Sequence, residues 1–210
     1  VVKEFGADTL RVYIMFLGDF EKTAPWSMSS VRGCKRFLDR IWGLQEILVG
    51  GDEYRKELET PFHQTIKKVS EDIESLKYNT AIAAMMGLLN KISDSGAITR
   101  KEYRDLLILL NPFAPHMTEE LFEEMGFGGP ISNQKWLSWD EEKCKESAVE
   151  IAVQVNGKIR VRITVPADIS QEEALAIAKA EERVAGAIAG KQIVKELYVK
   201  GKLVNIVVKG

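Results

Sequence analysis

With 210 residues, 45% apolar and 29% charged, the chain has the composition of a globular protein with room for one large or two ordinary domains. A formal net charge of −2 excludes a uniformly basic nucleic-acid binder, and two cysteines outside any Cys-x-x-Cys spacing exclude a disulfide framework and suit a reducing compartment. The charge is uneven, however: residues 148–210 sum to +3 and the remainder to −5. No signal peptide is visible, and Val1 opens what reads as a helix without an initiating Met, so a piece of a longer protein is expected.

Residues 1–18 read as two short helical pieces broken at Gly6, with Asp8 placed to cap the second and Leu10, Ile14 and Leu17 as its stripe. Residues 19–27 read as a connection. A longer helix is expected over about 29–49, ending at Gly50-Gly51, with Val31, Cys34, Leu38, Ile41 and Leu48 inward. On another face Arg32, Arg36 and Arg40 recur every four residues with Lys35 beside them, and only Asp39 interrupts the cluster. Such a row is either an ordinary solvated face or a phosphate-contacting ridge, since guanidinium forks match phosphate oxygens.

A polar helix should run from Glu53 to about Leu76, kinked or begun at Pro61. His63, near that point, reads as a surface or half-buried residue with no second metal ligand. The stretch Tyr78 to Asn90, YNTAIAAMMGLLN, carries no charge, and Asn79 or Thr80 is placed to cap it. Apolar all round yet far short of the ~20 residues of a membrane span, it reads as the central helix of a bundle, enclosed by other elements. Thr99 and Glu102 form a Thr-x-x-Glu capping box for the next helix, which Asn111-Pro112 and Ala114-Pro115 end. His116 opens a short acidic helix that stops at Gly126. Its i+4 position is Glu120 rather than a second His, so structural use is expected instead of zinc.

Residues 127–147 read as a linker, of a composition that admits flexibility, pinned onto the bundle by Trp136 and Trp139. The period then changes to two. Ile151, Val153 and Val155 alternate, Asn156-Gly157 signals a hairpin, and Ile159, Val161, Ile163 and Val165 alternate again up to Pro166. A two-residue turn would put Val155 opposite Lys158 and Ile151 opposite Arg162, mixing apolar and basic residues. Keeping the apolar set together requires an odd loop or a bulge, and the odd loop is the expectation. A helix over about 170–189 and two more strands complete an order of strand, strand, helix, strand, strand. One helix covering a small antiparallel sheet is an α+β unit. Its open face would carry Lys158, Arg160 and Arg162, with Lys191, Lys195, Lys200 and Lys202 added: the segregation of a phosphate-backbone binder, or merely a solvated face.

No Walker-type loop, Gly-x-Gly-x-x-Gly, Cys/His cluster or Ser-His-Asp set can be assembled, so neither catalytic residues nor a metal site is expected in the chain.

Five segments, GADTLRVYIMF (6–16), RFLDRIW (36–42), YNTAIAAMMGLLN (78–90), NPFAPHMTEELFEEMG (111–126) and VQVNGKIRVRITVPAD (153–168), together resemble the C-terminal part of a bacterial-type leucyl-tRNA synthetase. The first four are shared in looser form with the valyl and isoleucyl enzymes. The hairpin and the ending GKLVNIVVKG point to leucine, and neither a terminal coiled coil nor a zinc-binding end is present. The resemblance implies a mostly α protein: residues 1–27 linking to an absent catalytic core, a helical anticodon-binding-type domain over 28–126, the linker 127–147, and a C-terminal α+β domain over 148–210. The family's His-Ile-Gly-His and Lys-Met-Ser-Lys-Ser signatures do not occur here. The resemblance therefore implies that ATP and Mg belong to the parent's catalytic domain, and that this fragment holds no cofactor and is inactive alone. The implied partners are tRNA(Leu), along its backbone and outer corner, and the rest of the parent chain. No membrane is involved, and the parent is expected to be a monomeric, cytoplasmic leucine-tRNA ligase. The candidate tRNA contacts are Arg32, Lys35, Arg36 and Arg40 in the bundle and Lys158, Arg160, Arg162, Lys191 and Lys202 in the tail. The alternatives are the same portion of a valyl- or isoleucyl-type enzyme, or a non-catalytic protein-interaction scaffold.

Overall fold

The computed structural model describes residues 1–18, 25–145 and 148–209. Parts of the expected connection (19–24) and linker (146–147) lie outside the described residues. The chain forms two compact units, Val1–Cys144 and Lys145–Gly210.

In the first unit, α1 (Val2–Phe5) and α2 (Ala7–Phe16) meet at Gly6, whose φ of 88° only glycine adopts easily. The α2 stripe differs from expectation. Val12 and Tyr13 are buried while Ile14 and Leu17 are exposed. Both faces are apolar, and the tyrosine face wins because its hydroxyl accepts the Ser27 N–H at 2.8 Å and its ring meets Trp26 edge-on. Asp8 does not cap α2, because the helix already starts at Ala7.

Helix α3 (Met28–Trp42) begins one residue earlier than expected, capped by the Ser27 hydroxyl. It ends well before Gly50, passing into a 3₁₀ turn (Gly43–Ile47) and the short strand β1 (Leu48–Val49). Strand β1 pairs in parallel with β2 (Ile98–Thr99), a pairing the periodicity does not signal. Helix α4 (Lys56–Glu74) holds Pro61 in its interior instead of starting there. It closes in a Schellman motif: Lys77 N–H bonds the Asp72 carbonyl at 2.7 Å, Leu76 N–H bonds the Ile73 carbonyl at 3.1 Å, and Leu76 takes the left-handed conformation at φ 55°.

Helix α5 (Tyr78–Ser95) buries Ala81, Ile82, Met85, Leu88, Leu89 and Ile92. It is not enclosed on every side, since Ala83, Gly87 and Asn90 are exposed. Small side chains explain the discrepancy, because leaving alanine and glycine in water costs little apolar surface. Neither Asn79 nor Thr80 caps the helix; the Thr80 hydroxyl instead donates to the buried Asp72 carboxylate at 2.6 Å. Helix α6 (Arg100–Leu110) starts at the expected Thr99–Glu102 capping box, and α7 (Pro115–Glu124) starts at Pro115. Residues after α7 fold back along α4. Trp136 Nε1 donates to Ser70 Oγ at 2.8 Å, the Asp140 N–H donates to His63 Nδ1 at 3.0 Å, and Lys67 and Lys143 pair with Glu141 and Glu59. His63 is thus buried, 8% exposed, rather than a surface or half-buried residue.

The second unit has strands β3 (Ala148–Val155), β4 (Lys158–Pro166), β5 (Gln192–Val199) and β6 (Leu203–Lys209) in the order β4-β3-β6-β5. The sheet is mixed, not antiparallel, because its central pair β3/β6 is parallel. Those two strands carry the fully or nearly buried Ile151, Val153, Val155, Val204, Ile206 and Val208, and the centre of a sheet is where such residues are covered best. The expected single helix is two, α8 (Gln171–Ala180) and α9 (Glu182–Ile188), broken where Glu181 is extended; the break lets Val184 reach the core.

The hairpin satisfies both rules that competed in the sequence. Asn156 (φ 50°) and Gly157 (φ 77°) form a two-residue turn, with Val155 opposite Lys158. A bulge at Arg160 then shifts the register, so that Val153 faces Val161 and Ile151 faces Ile163. The odd loop is therefore replaced by an even turn plus a bulge. The Asn156 side chain also extends the sheet, accepting the Val208 N–H at 2.9 Å and donating to the Val208 carbonyl at 3.1 Å.

Candidate nucleic-acid interface

The α3 row is where its spacing predicts. Val31, Cys34, Phe37, Leu38 and Ile41 hold one face in the core, leaving Arg32, Arg36 and Arg40 exposed on the other. The four cations are not equivalent. Lys35 forms an ion pair with Asp39 one turn on, which offsets its charge. Arg32 and Arg36 have no ion pair among the described residues. Arg40 reaches across to α5, donating from its two terminal nitrogens to Asn90 Oδ1 and Ser93 Oγ, both at 2.9 Å. These acceptors are neutral, so the guanidinium is held in place with its charge intact. No sequence signal marks the pairing, because the partners are fifty residues apart.

The tail cations are less concentrated than expected. Opposed residues of an antiparallel pair share a face, so Lys158 lies on the side of the buried Val155 and not on the open face. Arg160 sits on the bulge and is exposed. Arg162 does point to the open face, where Glu150 of β3 pairs with it at 3.0 Å. Lys191 donates to the Ala187 carbonyl at 3.1 Å, at the end of α9, as a cation near a helix C-terminus should. Lys202, exposed, lies in the β5–β6 turn. The open face mixes apolar and polar side chains: Ile159, Leu197 and Val199 are exposed on it, Gln154 and Asn205 share it on the two central strands, and Lys195, opposite Val207, is the expected cation that the register does place there.

Four buried carboxylates belong to the scaffold, and each is satisfied. Glu102 accepts from Arg55 and Thr99, Asp105 from Tyr54, Lys101 and Arg104, Asp72 from Lys68 and Thr80, and Asp8 from the Met117 N–H. Burial and the Asp105 charge push the Tyr54 phenol far up, so it stays a donor. His116 uses Nδ1 against Asp8 at 2.7 Å, the structural role expected at a helix start. Among the described residues no group of His, Cys, Asp and Glu could hold a metal ion, and no helix is long and apolar enough to cross a membrane.

The model of the anticodon-binding domain of tRNA ligase matches residues 55–176, which span the boundary between the two units. Leucine–tRNA ligases match the whole chain: that of Alkaliphilus oremlandii is 54% identical and that of Brachyspira hyodysenteriae 43%. The chain covers 26% of the first relative and 27% of the second, about a quarter of their length. A crystal structure of the Agrobacterium radiobacter LeuRS-tRNA-LeuAMS ternary complex superposes with a TM-score of 0.74 at 27% identity, covering 100% of this chain and 30% of that one. By sequence and by fold, the chain belongs to the family of anticodon-binding domains of tRNA ligases, in the form found in the C-terminal part of leucine–tRNA ligases.

Proposed function

We propose that this chain is the tRNA-binding and tRNA-positioning portion of a leucyl-tRNA synthetase, whose whole enzyme attaches leucine to tRNA(Leu) with ATP. The observation that carries the reading is the match of the whole of this chain to part of leucine–tRNA ligases, combined with exposed guanidinium groups at Arg32 and Arg36 that have no ion pair among the described residues. Catalysis belongs to the region preceding this one, with its ATP and Mg²⁺. The parent is a monomeric, cytoplasmic enzyme.

In this reading the α3 ridge takes phosphates of the tRNA backbone, and the open sheet face of the second unit, rimmed by Arg160 and Lys202, takes the outer corner. Charge suits phosphate, while the exposed Ile159, Leu197 and Val199 suit an exposed base surface. Binding energy gained far from the reacting end is converted into rate by holding that end in the reactive geometry. The 210-residue chain should bind transcribed tRNA(Leu) with an affinity that falls steeply with salt, as counterion release requires. Arg32→Glu with Arg36→Glu should weaken binding and flatten the salt dependence, and Arg160→Glu should do so independently. Binding unchanged by all three substitutions would refute the reading.

A further inference from the structure

Arg40 differs from its neighbours in having its geometry fixed by another helix. The Ser93 hydroxyl donates its proton to the Leu89 carbonyl at 2.9 Å, so only a lone pair remains to face Arg40. Asn90 meets the other terminal nitrogen with its carbonyl oxygen, which leaves its own NH₂ pointing elsewhere. Two of the five guanidinium N–H donors are thereby used, three stay available, and no carboxylate among the described residues neutralises the charge. Asn90 and Ser93 are themselves exposed, so core packing does not require this pair of side chains.

We propose that Asn90 and Ser93 are positioning residues for RNA binding: they hold Arg40 as a fixed cationic fork on the α3–α5 surface, ready to take a phosphate of a structured RNA. The inference rests on the tRNA-binding reading above. A long side chain locked in advance loses less rotamer entropy on binding, and neutral acceptors lock it without lowering its charge. A carboxylate in their place would hold the fork equally well and cancel its charge.

That difference supplies the test, made on the full 210-residue chain with transcribed tRNA(Leu) over a salt series. Asn90→Asp keeps the bond to Arg40, so melting should be unchanged or raised. Affinity should nevertheless fall roughly three- to tenfold and the salt slope by about one, the signature of a lost phosphate contact. Asn90→Ala with Ser93→Ala frees the fork but keeps its charge, so affinity should fall with the slope preserved. In an Arg40→Ala background both effects should disappear. Wild-type binding by Asn90→Asp, or a loss equally large without Arg40, would overturn the inference while leaving the general reading standing. Undiminished binding by the Arg32→Glu, Arg36→Glu chain would remove the α3 ridge as an RNA surface, and the inference with it.

Discussion

The carboxylate of Glu102, fully buried at the start of α6, accepts both the backbone N–H of Arg55 at 2.7 Å and its Nε at 3.1 Å. Because Arg55 is the residue from which α4 begins, one side chain ties together the starts of two bundle helices. Arg55 also reaches Ser95 at 2.9 Å and the Ala97 carbonyl, bringing in the end of α5. Glu102→Ala removes the buried carboxylate and leaves the partly buried Arg55 only the exposed Glu57 at 3.3 Å, and should cost about 3 kcal/mol. Urea denaturation of the chain measures it. A change below about 1 kcal/mol would mean that the node contributes no more than a surface pair.

His63 makes the packing of the 136–144 segment sensitive to acid. Burial, then the Lys143 charge, lower its pKa below the usual 6.5, and its Nδ1 must be unprotonated to accept the Asp140 N–H. The unfolded chain therefore takes up this proton at a higher pH than the folded one. The stabilisation is complete above about pH 6.5 and declines as pH falls through the lower folded value. His63→Asn keeps an acceptor that cannot titrate, and should flatten the pH dependence of melting just below about pH 6.5. An identical acid slope in the variant would show that another group is responsible.

Asn156 serves the turn through its backbone and the sheet through its side chain. Asn156→Gly keeps the left-handed turn conformation but removes both bonds to Val208, at roughly 1 kcal/mol each. Amide exchange at Val208 should accelerate markedly, while the hairpin register stays intact. Unchanged protection at Val208 would contradict the assigned role.

Leu76 occupies the left-handed position of the α4 Schellman motif, where an L side chain costs about 1–2 kcal/mol. It is 64% exposed, so little packing is lost on removing it. Leu76→Gly should stabilise the chain by up to about 1 kcal/mol, raising its melting temperature by roughly 2–4 °C. A lower melting temperature would show that the leucine has a contact worth more than the strain.

What could be read from the residues was local. The capping box at Thr99, the proline stop after α6, the α3 burial stripe from Val31 to Ile41 and the change of period at residue 148 depend on neighbours a few positions away, and each is found where expected; Leu48, expected in the same stripe, lies instead in β1. The family, too, was legible, because whole segments carry it. What depended on distant partners was not. Asp8 serves a helix more than a hundred residues away, since only packing brings the Met117 N–H to it. The α2 face is chosen by Ser27, the parallel β3/β6 pair by which strands hold the most apolar surface, and the bulge at Arg160 by a conflict between turn and burial that two neighbouring strands resolve together. Charge divides in the same way: the four-residue spacing of Lys35 and Asp39 already pairs them on α3, but only folding sets Asn90 against Arg40 and leaves Arg32 and Arg36 without an ion pair among the described residues. Electrostatic strength depends on the distance to a counter-charge, and that distance is a property of the tertiary structure.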